Sequence, residues 1–192
     1  TGFSLSSHYG LKEEIYEKIT SLSGGNLIVK EYPTKTASIQ TLRNHLEKLR
    51  KRDVKIDMII VDYADLLKST HHHKELRNEL GSIYEELRAL SQQYECPVWT
   101  ASQTNRAGYE AEIVSAQQVS EAFNKCFVAD FICTISRTSI DKQTNKGTMY
   151  VTKNRNGPDG IVYPMFIDTS NVTMKVLPND GLTLEAVSDE KK

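Results

Sequence analysis

Apolar positions along this chain recur with two different periods. In "YGLKEEIYEKITSL", residues 9–22, Leu11, Ile15, Ile19 and Leu22 fall on one helical face, and Ser7 stands where a cap belongs. "TASIQTLRNHLEKLRKR" stacks Ile39, Leu42, Leu46 and Leu49 in the same way, with Thr36 as its predicted cap. From 74 to about 95, Leu76, Leu80, Ile83, Leu87 and Leu90 form a third stripe. Between the helices lie short apolar runs, "NLIVKEY" (closed by Pro33), "MIIVDYADLL" and "CPVWTASQ". They are too short for helices, and the first two are rich in β-branched residues, so all three read as strands. Alternation of strand and helix through the first hundred residues predicts a parallel sheet built by right-handed crossovers.

The second half has another rhythm. A polar stretch, 104–117, leads to a short helix near 118–126. Then "DFICTIS", "TMYVTKN", "GIVYPMFID" and "VTMKVL" read as strands joined by turns, with strong turn chemistry in "NGPDG" at 156–160. The expected organisation is one α/β domain over 1–185 and a disordered tail over 186–192. Trp99, inside an apolar strand, is expected in the core.

Composition narrows the class. The chain has 192 residues, 39% hydrophobic and 26% charged, as expected of a globular domain able to bury about 70% of its unfolded surface. No apolar stretch approaches the roughly 20 residues that span a bilayer, and the first residues lack signal-peptide character. A soluble, cytoplasmic protein without membrane partners is the expectation. Cys96, Cys126 and Cys133 have no metal-ligand spacing and read as small buried thiols. "HHH" at 71–73 has no other His close in sequence and reads as a loop rather than a zinc site. Net charge is −1, so contact with nucleic acid would come from a local surface or from oligomerisation.

Three stretches carry candidate chemistry. Asp62 ends a buried apolar run, where open parallel sheets bind ligands, and a carboxylate there can hold Mg²⁺ through water. Gln103 ends the next such run, and its amide can contact both a terminal phosphate and an attacking water. Lys153 and Arg155, two residues apart on a strand, project from one face beside a tight turn, with Asn154 opposite. A pair of cations so placed suits a polyphosphate. Singly, each also fits a structural role: a strand-end turn for Asp62, a charged hairpin edge for the lysine and arginine.

In order, "IIVDYADLL", "WTASQTNR" and "VTKNRNGPDG" resemble the later motifs of DnaB-type replicative DNA helicases, with the phage branch nearest. The resemblance covers about residues 26–177. It implies an α/β, RecA-like P-loop NTPase core with a parallel sheet and an antiparallel β-hairpin extension. It also implies a homo-hexameric motor that couples ATP hydrolysis to translocation on single-stranded DNA and duplex unwinding. By that resemblance Asp62 is the Walker B aspartate that positions Mg²⁺, and Gln103 links the γ-phosphate to the DNA-binding loops. Lys153 and Arg155 are fingers reaching the neighbouring subunit's ATP, and Arg106, in the 104–117 stretch, contacts DNA phosphate. A primase or a helicase loader is the further partner implied.

The departure from the family is that no G-x-x-x-x-G-K-S/T occurs in the chain. "SGGN" at 23–26 has neither the spacing nor the ending, and the family's catalytic glutamate has no counterpart. The expectation is the latter part of a motor domain, inactive alone. The alternatives are a recombinase or clock-type RecA relative, and a non-catalytic ATPase-derived module that binds DNA or a partner.

Overall fold

The computed structural model describes residues 17–18, 21, 25–70, 76–104, 111, 113–114 and 122–179. Most of the predicted helix at 9–22, "HHH" at 71–73, most of 104–117 with Arg106, and the tail at 186–192 lie outside them.

Helix α1, Ile39–Arg50, begins at Ser38 through a reciprocal capping box. The Thr41 amide donates to Ser38 Oγ at 3.3 Å, and the Ser38 amide donates to Thr41 Oγ1 at 3.2 Å. The predicted cap, Thr36, is two residues too early. Its hydroxyl donates to the Pro33 carbonyl at 2.6 Å and closes the preceding turn instead. Helix α2, Leu76–Tyr94, buries Leu80, Ile83, Leu87 and Leu90 along the predicted stripe. The two helices are joined by Tyr94 Oη donating to Glu47 Oε1 at 2.7 Å and by Arg43 Nε donating to Gln93 Oε1 at 2.9 Å.

Strands β1, Ile59–Val61, and β2, Val98–Thr100, pair in parallel with Ile60 beside Trp99. Alternate residues of a strand face opposite sides. Ile59, Val61 and Val98 therefore pack with the helix residues, including Leu46, Leu87 and Leu90. The other face is open, with Ile60 70% and Trp99 45% exposed. This corrects two expectations: β1 and β2 are covered on one side only, and Trp99 is not in the core. Its ring instead meets Phe131 edge-on, centroids 5.8 Å apart. A third correction concerns "NLIVKEY". These residues form no strand, and Leu27 and Val29 are about as exposed as side chains become, because no described segment lies alongside to complete a ladder.

Beyond the short helix α3, Ala122–Val128, the chain forms a four-stranded antiparallel sheet. Its strands are β3 Phe131–Ser136, β4 Lys146–Asn154, β5 Val162–Asp168 and β6 Thr173–Val176, in that spatial order. They match the four predicted strands. An unpredicted helix, α4 Ser139–Gln143, joins β3 to β4 and is capped by Thr138 and Asp141. Gly147 is required by packing: a Cβ there would lie 2.6 Å from Ile167 Cδ1 and 3.2 Å from the Ser136 carbonyl.

Leu90 is fully buried between α2 and the strands. Leu90→Ala is expected to lower the unfolding free energy by about 2–5 kcal/mol. Ile60→Ala, on the open face, should stay within about 0.5 kcal/mol of the parent chain. Urea denaturation followed by circular dichroism measures both. Equal losses would mean that the open face is covered.

Candidate nucleotide site

Because β1 and β2 are adjacent and parallel, both chains leave the sheet at the same edge. Asp62 immediately follows β1 and is exposed. One hydroxyl holds the two exits together: Thr100 Oγ1 donates to the Val61 carbonyl and accepts the Ala64 amide, both at 2.9 Å. The chain then tightens into a 3-10 turn, Ala64–Leu66. Gln103 Nε2 donates to the hydroxyl of Tyr63 at 2.9 Å. The predicted aspartate and glutamine are thus brought to one edge, joined through the residue that follows Asp62. The Asp62–Tyr63 peptide is cis.

Behind this edge lies a polar cluster that sequence reasoning missed. Lys125, on α3, is only 4% exposed. Its ammonium donates to Asp65 Oδ2 at 2.8 Å and to Ser102 Oγ at 2.9 Å, and stands 5.2 Å from the centre of the Tyr84 ring. Ser102 Oγ donates in turn to Asp65 Oδ2 at 3.3 Å, and the Tyr84 hydroxyl donates to Asp65 Oδ1 at 2.9 Å. Burial first, and then the Asp65 carboxylate, push the Tyr84 phenol well above its ordinary range. Asp65 lies three residues after Asp62, and Ser102 directly precedes Gln103. That adjacency was the one available signal, since nothing in "AFNKCFV" marks Lys125 as buried.

Lys153 lies in β4 while Arg155 falls in the turn just after it rather than on the strand as predicted, yet both rest on the carboxyl end of α3. Lys153 Nζ donates to the Cys126 carbonyl at 2.6 Å and to that of Phe127 at 3.3 Å. Arg155 Nη2 reaches the Phe127 carbonyl at 3.4 Å, and Nη1 pairs with Asp130 at 2.5 Å. Arg88 joins the same place, with Nη2 3.1 Å from Asp130 and Nη1 donating to the Val128 carbonyl. Orphan carbonyls and the negative end of the helix dipole favour cations at this position. Asn154 points the other way, accepting the Asn156 amide at 3.3 Å and donating to the Pro158 carbonyl at 3.1 Å.

Among the described residues no group of three His, Cys, Asp or Glu is placed to hold a metal on its own, and no helix is long and apolar enough to cross a membrane. The three cysteines are free thiols whose pKa values are pushed up, chiefly by burial. Cys96 is buried as expected, while Cys126 and Cys133 are half-buried.

Residues 10–173 match the family described as DnaB-like helicase C terminal domain. The chain is 33% identical over 139 residues to a DnaB-like replicative helicase of Enterobacteria phage T4, covering 70% of this chain and 29% of that protein. Its fold superposes on a solved ATPase domain with a TM-score of 0.73 at 15% identity, covering 90% of this chain and 62% of that one. A DnaB-like replicative helicase solved for its interactions with primase gives a TM-score of 0.72 at 16% identity, covering 86% and 42% respectively. These likenesses bear out the RecA-like α/β architecture with an antiparallel extension. The chain spans less than a third of the length of the phage relative.

Tyr84 supplies a pH test of the buried cluster. An acid kept protonated by the fold contributes stability that is intact below its ordinary pKa, about 10, and is lost as pH climbs toward the raised value. The stability difference between the parent chain and Tyr84→Phe should therefore narrow as pH rises above about 10. Denaturation midpoints across an alkaline series check this, and a constant difference would show that the phenol is not held in its neutral form.

Proposed function

We infer the activity from one premise: this chain belongs to the family of DnaB-like helicase C-terminal domains. We propose that it is part of an ATP-dependent replicative DNA helicase, a homo-hexamer that couples ATP hydrolysis to translocation on single-stranded DNA and to duplex unwinding. The observation that carries this reading is the joint placement of Asp62 and Gln103 at one edge of neighbouring parallel strands. A primase or a helicase loader is the further partner proposed.

The residues present fit Mg²⁺ held through water. Asp62 offers an exposed hard oxygen donor at a strand end, and a second protein ligand is not required for an ion that keeps most of its hydration. Bound there, Mg²⁺ would neutralise charge on the phosphates. Gln103 would orient the attacking water and report the terminal phosphate to the 104–117 stretch, where Arg106 would contact DNA phosphate. Lys153 and Arg155 would reach the ATP of the neighbouring subunit and stabilise charge developing on the transferred phosphoryl group. Their present contacts do not oppose this. The Arg155–Asp130 pair is about half exposed on both sides, and such pairs exchange at little cost.

The phosphate loop that supplies most contacts to a bound triphosphate in this type of site is absent from the chain. Calorimetry of the isolated chain with MgATP should show no tight binding. A dissociation constant near about 1 μM, some 8 kcal/mol of binding free energy, would reveal a nucleotide site elsewhere.

In the complete gene product that contains this chain, Asp62→Asn should abolish turnover with the fold intact. Arg155→Ala should reduce turnover by about 10³-fold or more. Mixing the two variants is the decisive experiment. An interface at which the first-named variant donates the finger and the second donates the nucleotide site has every part intact, so mixed rings should regain ATPase. If exchange occurs and activity stays absent, a linked dimer with one intact interface decides, and silence there rejects fingers acting across subunits.

A further inference from the structure

The buried cluster and the cation pair both engage the last turn of one short helix. Lys125 enters the cluster from the body of α3, while Lys153 and Arg155 hold the carbonyls of Cys126 and Phe127, its next two residues. Four further contacts keep the helix end from moving independently. The Ala129 amide closes the last turn on the Lys125 carbonyl at 3.1 Å, and the Arg155 amide donates to the Asp130 carbonyl at 2.9 Å. Arg88, on α2, holds the Val128 carbonyl and Asp130 together.

The Lys125 side chain contacts the two segments that leave β1 and β2. Asp65 and Ser102 occupy two of the three ammonium protons, and the π-face of Tyr84 stands near. Ser102 and Gln103 are consecutive, so a shift of the segment that carries Gln103 displaces the Ser102 hydroxyl with it. Lys125 is only 4% exposed, so solvent poorly replaces a lost partner, and the ammonium follows that hydroxyl or gives up one of its two hydrogen bonds.

We propose that Lys125 is a positioning residue that couples the Gln103 segment of a subunit's own nucleotide site to the Lys153–Arg155 pair the same subunit presents to its neighbour. The contact path runs from Gln103 through Ser102 and Lys125 to α3, and from the α3 carbonyls to the two cations. It makes the last turn of α3 a rigid link, with nucleotide state read at the Lys125 side chain and finger placement set at the carbonyls of the next two residues. The inference rests on the ATPase reading above and adds a residue to which that reading gives no role.

The test uses the complete gene product, with three variants measured for kcat and KM as assembled rings. Ser102→Ala removes the hydroxyl next to Gln103 and leaves the Lys125–Asp65 pair in place. Ser102→Thr restores a hydroxyl. The double variant Lys125→Met with Asp65→Asn removes both charges together, so no unpaired buried charge is left to unfold the chain. Ser102→Ala and the double variant should each lower kcat by about 3- to 30-fold, the range of coupling effects transmitted through packed networks, with KM for ATP nearly unchanged. Ser102→Thr should recover most of the loss. A purely structural cluster would lower the melting temperature without this kcat-against-KM split. Unchanged kcat in Ser102→Ala, or a change confined to KM, overturns the proposal. If the double variant fails to fold, Ser102→Ala and Ser102→Thr alone decide. An unmutated protein with no ATPase activity would instead overturn the ATPase reading, and this inference with it.

Discussion

One ammonium group, that of Lys125, holds four parts of the chain in register. The turn after β1, the segment after β2, the middle of α2 and the helix α3 meet around it. Burying a cation and a carboxylate is unfavourable in itself. It succeeds here because each partner is satisfied more than once: Asp65 accepts from Lys125, Ser102 and Tyr84. Removing one partner of such a pair typically costs about 3–5 kcal/mol, most of it the penalty of stranding the other charge. A hydrophobic contact in the same place would tolerate sliding. A hydrogen-bonded ion pair does not, and it therefore specifies where the strand exits stand relative to α3.

This explains why the site edge is ordered although the sheet behind it is small. β1 and β2 have three residues each and are covered on one face. Two short strands alone are marginal. Thr100 Oγ1 adds two cross-strand hydrogen bonds at the exit, and the Lys125 cluster adds the rest. Asp62 and Gln103 are placed by side chains next to them in sequence rather than by their own contacts with the core, which leaves both exposed to a ligand.

Legibility in the sequence followed the range of the interactions. The stripe from Leu80 to Leu90 was readable because helical period and burial coincide within one segment. The capping of α1 was readable as a type of device but displaced by two residues, since Thr36 and Ser38 both precede the apolar face. Their hydrogen bonds distinguish them: Ser38 Oγ accepts the Thr41 amide, while the Thr36 hydroxyl donates to the Pro33 carbonyl. The box at Thr138 and Asp141 is legible in the sequence too, but it caps a helix of only five residues, too short for an apolar stripe to reveal. Trp99 and "NLIVKEY" were misjudged for one reason: local hydrophobicity reports what a segment could bury, whereas burial requires a covering element supplied elsewhere. Lys125 was beyond local reasoning altogether. Its partners lie 23, 41 and 60 residues away, and only the folded chain brings them together.

The Lys125 side chain and the terminal carbonyls of α3 differ in how firmly they hold their charges. At Lys125 the cation is enclosed, and salt in solution screens it little. At the carboxyl end, Arg88, Lys153 and Arg155 crowd around exposed carbonyls and Asp130, where solvent and ions compete for each of them. A chain of net charge −1 thus concentrates three cations on one small surface and balances them locally with one carboxylate and the dipole of a seven-residue helix. Such a balance is easily tipped. A ligand carrying several negative charges offers more to Arg155 than Asp130 does, while the enclosed Lys125 pair keeps the helix tied to the two strand exits.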